Sequence, residues 1–332
     1  MAAALSFMKR PTMWGLAIGI ALLVAVFAQH DPGAIFAAVI GIGWGAFAIL
    51  PWRIASIFSS AAGWACLYRR AERLPYLHLV QGRWISEAVN HLLPMAQIGG
   101  NVVRGRLAYR AARSRRPGLT GTAVAAILIV DITGALAARV ILVAAGFLLL
   151  WQRQILGFAG AMLGIGLSVV PLLFLLAIQH RRLLSGAAGL LHRPKWHRLL
   201  QAVEATAQDL ATHLVALYRR WVAMTLDIAW HVIAGLFRVG ETWTILLLLG
   251  HPVSIVEALL IEVMASTVRA LAFLIPGGLG AQEGGFLLIC HLLGVAPILA
   301  LALAVTKRAR DAALGLPALL DWLILERRIR TG

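Results

Sequence analysis

Residues 273–285 read FLIPGGLGAQEGG: a proline, five glycines, a glutamine and a glutamate set into one of the most apolar parts of the chain. Proline removes a backbone donor and glycine weakens a helix, so this stretch breaks a helix and leaves amides and carbonyls without partners. Long apolar runs at 255–274 and 298–325 flank it and place it at membrane depth. Irregular backbone at that depth is tolerated only where it is buried in protein or lines a water-filled cavity. The stretch is therefore read as a bend facing a cavity.

Composition agrees with a membrane setting. Of 332 residues, 61% are hydrophobic and 13% charged, with a mean hydropathy of +0.84. Soluble domains run at roughly 45–50% apolar and about 25% charged. No long polar segment exists from which a second domain could be built, so residues 1–332 are read as a single all-α, polytopic membrane domain. Cys66 and Cys290 lie in apolar surroundings with no CxxC spacing, which indicates neither a disulfide nor a metal site. No cofactor is expected.

A helix needs ~20 apolar residues to cross a bilayer. Hydropathy predicts membrane helices at 13–28, 34–50, 118–150, 157–178, 221–249, 255–274 and 298–325. The first follows Lys9 and Arg10 and has a small-residue site at Val26-Phe27-Ala28, as a signal peptide would, but its place in a membrane-embedded chain favours a retained helix. Residues 54–68 either continue the second helix or lie at the interface. Residues 198–218 carry an amphipathic stripe that predicts an interfacial helix.

Lys and Arg number 30 against 14 Asp and Glu. In a membrane chain this excess points to loop sidedness rather than to nucleic acid, because the basic clusters hug the ends of apolar runs. Arg53, Arg83 and Arg104 are assigned with the other clusters to the cytoplasmic face, which puts both termini inside.

A second interrupted segment, SEAVNHLLPMAQIGGNVVRGRL, spans residues 86–107. Like the first, it has a proline breaker followed by Gln-x-Gly-Gly: Gln97 to Gly100 here, Gln282 to Gly285 there. Residues 84–107 and 274–294 are read as broken, re-entrant hairpins, one entering from each side in a possible inverted repeat. Such paired interruptions are the best sequence pointer to a transporter's binding site. Plain helix kinks are the alternative. Charges at membrane depth normally face a cavity or one another. Glu262 and Arg269 share a helix face, Asp131, Arg139, Asp227, Arg238 and Glu241 add further polar points, and Lys307, Arg308, Arg310 and Asp311 fall mid-helix. For the last cluster an anion-facing role competes with an internal ion pair that fixes packing.

PGGLGAQEGG, with HPVSIVEALLIEVMASTVRALAF before it and ALAVTKRARDAALGLPALLDW after it, resembles the membrane domain of the lysylphosphatidylglycerol synthase/flippase family. The hopanoid-biosynthesis-associated HpnL type is the most similar branch, and EAVNHLLPMAQIGG resembles the family's first motif. The resemblance implies a multi-pass protein of the bacterial inner membrane that moves an amphiphilic lipid between leaflets, with a hopanoid, polyprenyl-linked lipid or phospholipid as cargo. Lysyl-transferring members carry a further cytosolic catalytic domain; nothing of that kind is found within these 332 residues, so aminoacyl transfer is not expected.

Motif positions carry over one at a time. Glu87, Asn90, Gln97, Arg269, Gln282, Glu283, Arg308 and Arg310 become headgroup-binding candidates. Pro94, Gly99, Gly100, Pro276, Gly277, Gly280 and Gly284 become helix breaks or hinges. No catalytic or metal-ligating residue is assigned: HExxH, GxSxG and P-loop motifs are absent from the sequence. A membrane-embedded enzyme or a scaffold that gathers lipid-biosynthesis enzymes is the rival reading. A membrane lipid is the expected partner, with biosynthetic enzymes as candidates, and no nucleic acid.

Overall fold

The computed structural model describes residues 2–93, 99–115, 118–179, 197–272, 275 and 278–331, with side chains from residue 14 onward except at 16, 197–205, 270–271 and 328–331. Within these residues the chain forms twelve α-helices, one 3-10 helix and no strand. In order they are α1 (Ala2–Ala28), α2 (Pro32–Gly41), the 3-10 helix (Gly43–Ile49), α3 (Leu50–Leu67), α4 (Tyr76–Leu92) and α5 (Gly99–Arg115). Then come α6 (Gly121–Gln152), α7 (Phe158–Gln179), α8 (His197–Tyr218), α9 (Trp221–Leu248), α10 (Ile255–Leu271), α11 (Ala281–Leu292) and α12 (Pro297–Thr331).

Four segments are long and apolar enough to cross a membrane: Gly43–Leu67, Gly121–Gln152, Phe158–Gln179 and Trp221–Leu248. A pair bent by 90°, Ala17–Ala28 with Pro32–Gly41, counts as a fifth if it is one span. The protein is a multi-pass membrane protein. Its amino-terminal helices divide differently from the hydropathy reading. The chain turns at Asp31, whose carboxylate accepts a hydrogen bond from the Gly33 N–H at 2.8 Å, and Pro32 opens α2. The expected helix at 34–50 stops at Gly41, because Gly43 takes φ +52 and hands the chain to the 3-10 turn and α3. Residues 54–67 thus belong to a segment long and apolar enough to be a span.

Both interrupted segments are helix–break–helix units whose two arms pack on each other, α4 with α5 and α10 with α11. In the first, a Cβ on Gly100 would come within 2.1 Å of the Ser86 carbonyl oxygen, so the arms approach as closely as glycine permits. In the second, Gly280 has φ +74 and precedes α11, while a Cβ there would meet Leu22 of α1 at 2.4 Å. α10 itself starts from a Ser254–Glu257 capping box.

The most extensive helix contact is α3 on α9, and α4 packs against α12 as well as α5. Glycines set the approach: Gly240 faces the Trp52 ring, Gly235 faces Leu142, and Gly315 faces Leu92. The stripe predicted for 198–218 packs Leu210, Leu214 and Leu217 into the apolar cluster shared with Ala123, Val124 and Ile127 of α6. α7 stands at the periphery, with Leu163 65% exposed. The long helices α3, α4, α6 and α9 leave a polar space between them.

Candidate functional site

That space is a cavity of about 270 Å³. On α4, Arg83, Glu87, Asn90 and His91 reach it, spaced three or four apart and so on one helix face. On α6 the same spacing brings Ile132, Ala135, Leu136, Arg139 and Leu142 to its wall. Arg53 of α3, Asn101 and Arg104 of α5, His231 and Arg238 of α9, and Arg269 of α10 complete the charged lining. Six arginines and two histidines thus face one carboxylate, Glu87.

Most of these cations are anchored from behind. Arg53 pairs with Glu87 at 2.8 Å and Arg83 with the same carboxylate at 3.5 Å. Arg104 is 1% exposed, lies 5.0 Å over the Trp64 ring and reaches Asp131 at 2.6 Å. Arg238 approaches Glu262 at 3.7 Å and donates a long hydrogen bond to the Ser56 hydroxyl at 3.4 Å. Arg269 meets His91 Nε2 at 3.3 Å, while His91 Nδ1 lies 2.9 Å from Asp311. An Nε2 that accepts from a guanidinium leaves the ring hydrogen on Nδ1, the nitrogen nearest Asp311. Arg139 differs. Among the described residues it has no ion-pair or hydrogen-bond partner, and its neighbours in charge are Arg269, Arg238 and Arg83, with Glu262 opposing them.

Behind the wall, Lys307 pairs with Glu262 at 2.7 Å and with Glu241 at 3.9 Å. Arg310 reaches Glu241 at 2.5 Å and also bonds Asp311. With the six lining arginines these make eight cations; Glu87, Asp131, Asp227, Glu241, Glu262 and Asp311 make six carboxylates. Asp131 and Asp227 crowd together in one buried site and cannot both bear a full negative charge, so the network, among the described residues and with histidines neutral, holds an excess of at least two positive charges.

Among the described residues, one group of side chains is close enough to converge on a metal ion: Asp131, Asp227 and His231, whose ligand atoms lie within 4.8 Å of one another. Arg104, however, stands 2.6 Å from Asp131 Oδ2, with its charge against any cation bound there. A metal does not fit these residues.

The structure distributes the sequence-derived site residues over two places. Glu87, Asn90 and Arg269 line the cavity. Asn90 also accepts a hydrogen bond from the Gly100 N–H at 2.9 Å, satisfying one of the free donors at the start of α5, which begins at Gly99. Arg308 and Glu283 form an ion pair at 2.9 Å that ties α12 to α11. Arg310 is 7% exposed and committed to Glu241 and Asp311, so the cluster at 307–311 forms internal ion pairs. Gln282 and Gly284 sit in the first turn of α11, Gly284 with open space at its Cβ position. Pro94, Gln97, Pro276 and Gly277 lie outside the described residues.

Arg53, Arg83 and Arg104, assigned from the sequence to a cytoplasmic basic cluster, are instead cavity residues, and Arg53 is only 7% exposed. They carry no information on sidedness. The one local signal for them is the Arg83–Glu87 spacing of four, an ion pair on a helix face. Arg104 finds Asp131 only through the packing of α5 on α6.

No curated protein and no solved structure matches the chain. The family model described as lysylphosphatidylglycerol synthase TM region matches residues 12–317, which covers nearly all 332, and the chain therefore belongs to that family.

Proposed function

We propose that the protein is a flippase-like transporter that moves an amphiphilic lipid between the leaflets of the bacterial inner membrane. Family membership gives it a role in membrane lipid handling. The observation that carries the transport reading is the cavity itself: a wall with six arginines, enclosed by helices of a membrane protein, where an arginine at a helix centre costs about 2.5–3.5 kcal/mol on insertion scales. Such a wall gives an anionic headgroup a polar path while its tails remain in hydrocarbon. Arg269, Arg139 and Arg238 contact the headgroup, with Glu87 and Asn90 beside it, and the Arg308–Glu283 and Arg310–Glu241 pairs hold the frame. The two broken hairpins act as re-entrant elements of an inverted pair, which flex at their glycines as the cavity opens to either side. Both termini face the cytoplasm. Hopanoid synthesis, the setting of the similar HpnL branch, is where the cargo is sought first.

Leaflet-specific labelling of a lipid in proteoliposomes tests this. A flippase redistributes the lipid unchanged, a lipid-modifying enzyme alters its mass, and a scaffold does neither. Arg269→Ala slows redistribution about tenfold or more, since it removes a charge-assisted contact. Unchanged redistribution in that variant, or a change of lipid mass, overturns the reading.

A further inference from the structure

The charge of the cavity has a magnitude as well as a sign. Eight cations, four of them buried, stand against six carboxylates, two of which crowd each other, and the neighbouring Arg308–Glu283 pair is balanced in itself. At least two positive charges are therefore left for a ligand to neutralise in a setting where water screens poorly. Arg139 shows where: it faces the cavity, and its surroundings are arginines.

We propose that the cavity is built for a lipid phosphomonoester, a headgroup that ends in a terminal phosphate. The assignment rests on the lipid-transport reading and narrows it. A phosphomonoester carries about −1.5 to −2 at pH 7, which offsets most of the minimum excess of two. A phosphodiester carries a single negative charge and leaves at least one guanidinium unbalanced. The terminal phosphate also offers three strong acceptor oxygens for several guanidinium groups at once. An aminoacylated lipid fits poorly, because its ammonium would enter a wall of arginines whose one carboxylate, Glu87, is already held by Arg53 and Arg83. Size agrees. At about 270 Å³ the cavity falls just below the roughly 300–1,000 Å³ of sites that bury a whole drug-sized ligand, so it takes a headgroup and leaves the tails outside.

The test is equilibrium binding of fluorescently tailed phosphatidic acid, a phosphomonoester, to the full chain in phosphatidylcholine nanodiscs. Phosphatidylglycerol, lysyl-phosphatidylglycerol and inorganic phosphate serve as competitors. Phosphatidic acid binds at least about tenfold tighter than phosphatidylglycerol, and its advantage shrinks below pH ~6, where the phosphate dianion takes up a proton and becomes a monoanion. Arg139→Ala removes that advantage by weakening phosphatidic acid binding far more than phosphatidylglycerol binding, and Arg139→Lys, which keeps the charge and the fold, restores part of it. Equal affinity for phosphatidylglycerol or lysyl-phosphatidylglycerol overturns the proposal, as does a phosphatidic acid preference that survives Arg139→Ala. Displacement of the lipid by equimolar inorganic phosphate also overturns it, by assigning the cavity to a free anion. Selective binding without movement in proteoliposomes removes the transport reading and leaves the headgroup assignment; movement without preference does the reverse.

Discussion

Arg139 and Glu241 are opposite cases of one buried charge. Arg139 faces the cavity without a carboxylate partner among the described residues, whereas Glu241 is fully buried and holds both Arg310 and Lys307. Removing one partner of a buried ion pair leaves the other uncompensated and costs about 3–5 kcal/mol. Glu241→Gln therefore lowers the unfolding temperature in detergent sharply, and a second change, Arg310→Met, recovers part of the loss by removing the cation that Glu241 holds at 2.5 Å. Arg139→Met has the opposite effect. It relieves an uncompensated charge, so the variant melts higher while binding its headgroup less well, the exchange of stability for function expected at a binding site. Thermal unfolding of the three variants, read beside lipid binding, checks both signs; a lower melting temperature for Arg139→Met means that the side chain stabilises the fold.

At the level of elements, two glycines four residues or fewer from a motif core separate packing from flexibility. A Cβ at Gly100 would lie 2.1 Å from the Ser86 carbonyl oxygen, and a backbone oxygen cannot swing aside as a side chain does. Gly100→Ala must push α5 away from α4 and disturb the Asn90 hydrogen bond, so it destabilises by about 1–3 kcal/mol or prevents the hairpin from closing. Gly284, in the first turn of α11, has nothing within 4 Å of its Cβ position, and Gly284→Ala gains up to about 1 kcal/mol of helix propensity. If Gly284→Ala nevertheless blocks lipid movement in an intact protein, bending at that residue is part of the transport cycle. The existence of both helix breaks was legible in the sequence, since proline and glycine act locally. The closeness of the arms was not, because it depends on a carbonyl fourteen residues away. The pairing of α3 with α9, where the Ser56 hydroxyl donates to the Ala234 carbonyl across 178 residues, leaves no local trace at all.

For the whole molecule, composition establishes a membrane protein, but a charge count cannot tell a loop arginine from a cavity arginine. Arg53, Arg83 and Arg104 sit near the ends of apolar runs, where the positive-inside rule reads them as topology markers, and tertiary packing then gathers them around one space. On the transport reading, what distinguishes that space from the exterior of the bundle is its charged lining, which calls for water. Ala135 lines it beside Arg139, whereas Leu163 on the peripheral helix α7 is exposed only to the surroundings of the bundle. After Cys66 and Cys290 are replaced by serine or alanine, Ala135→Cys reacts with a membrane-impermeant thiol reagent in proteoliposomes and Leu163→Cys does not. Phosphatidic acid slows the labelling of Ala135→Cys and leaves every lipid-facing control unchanged, because a headgroup held by the arginines occludes that wall. Labelling at Leu163→Cys with none at Ala135→Cys would mean that the arginine wall is dry, and a dry wall provides no route for a headgroup.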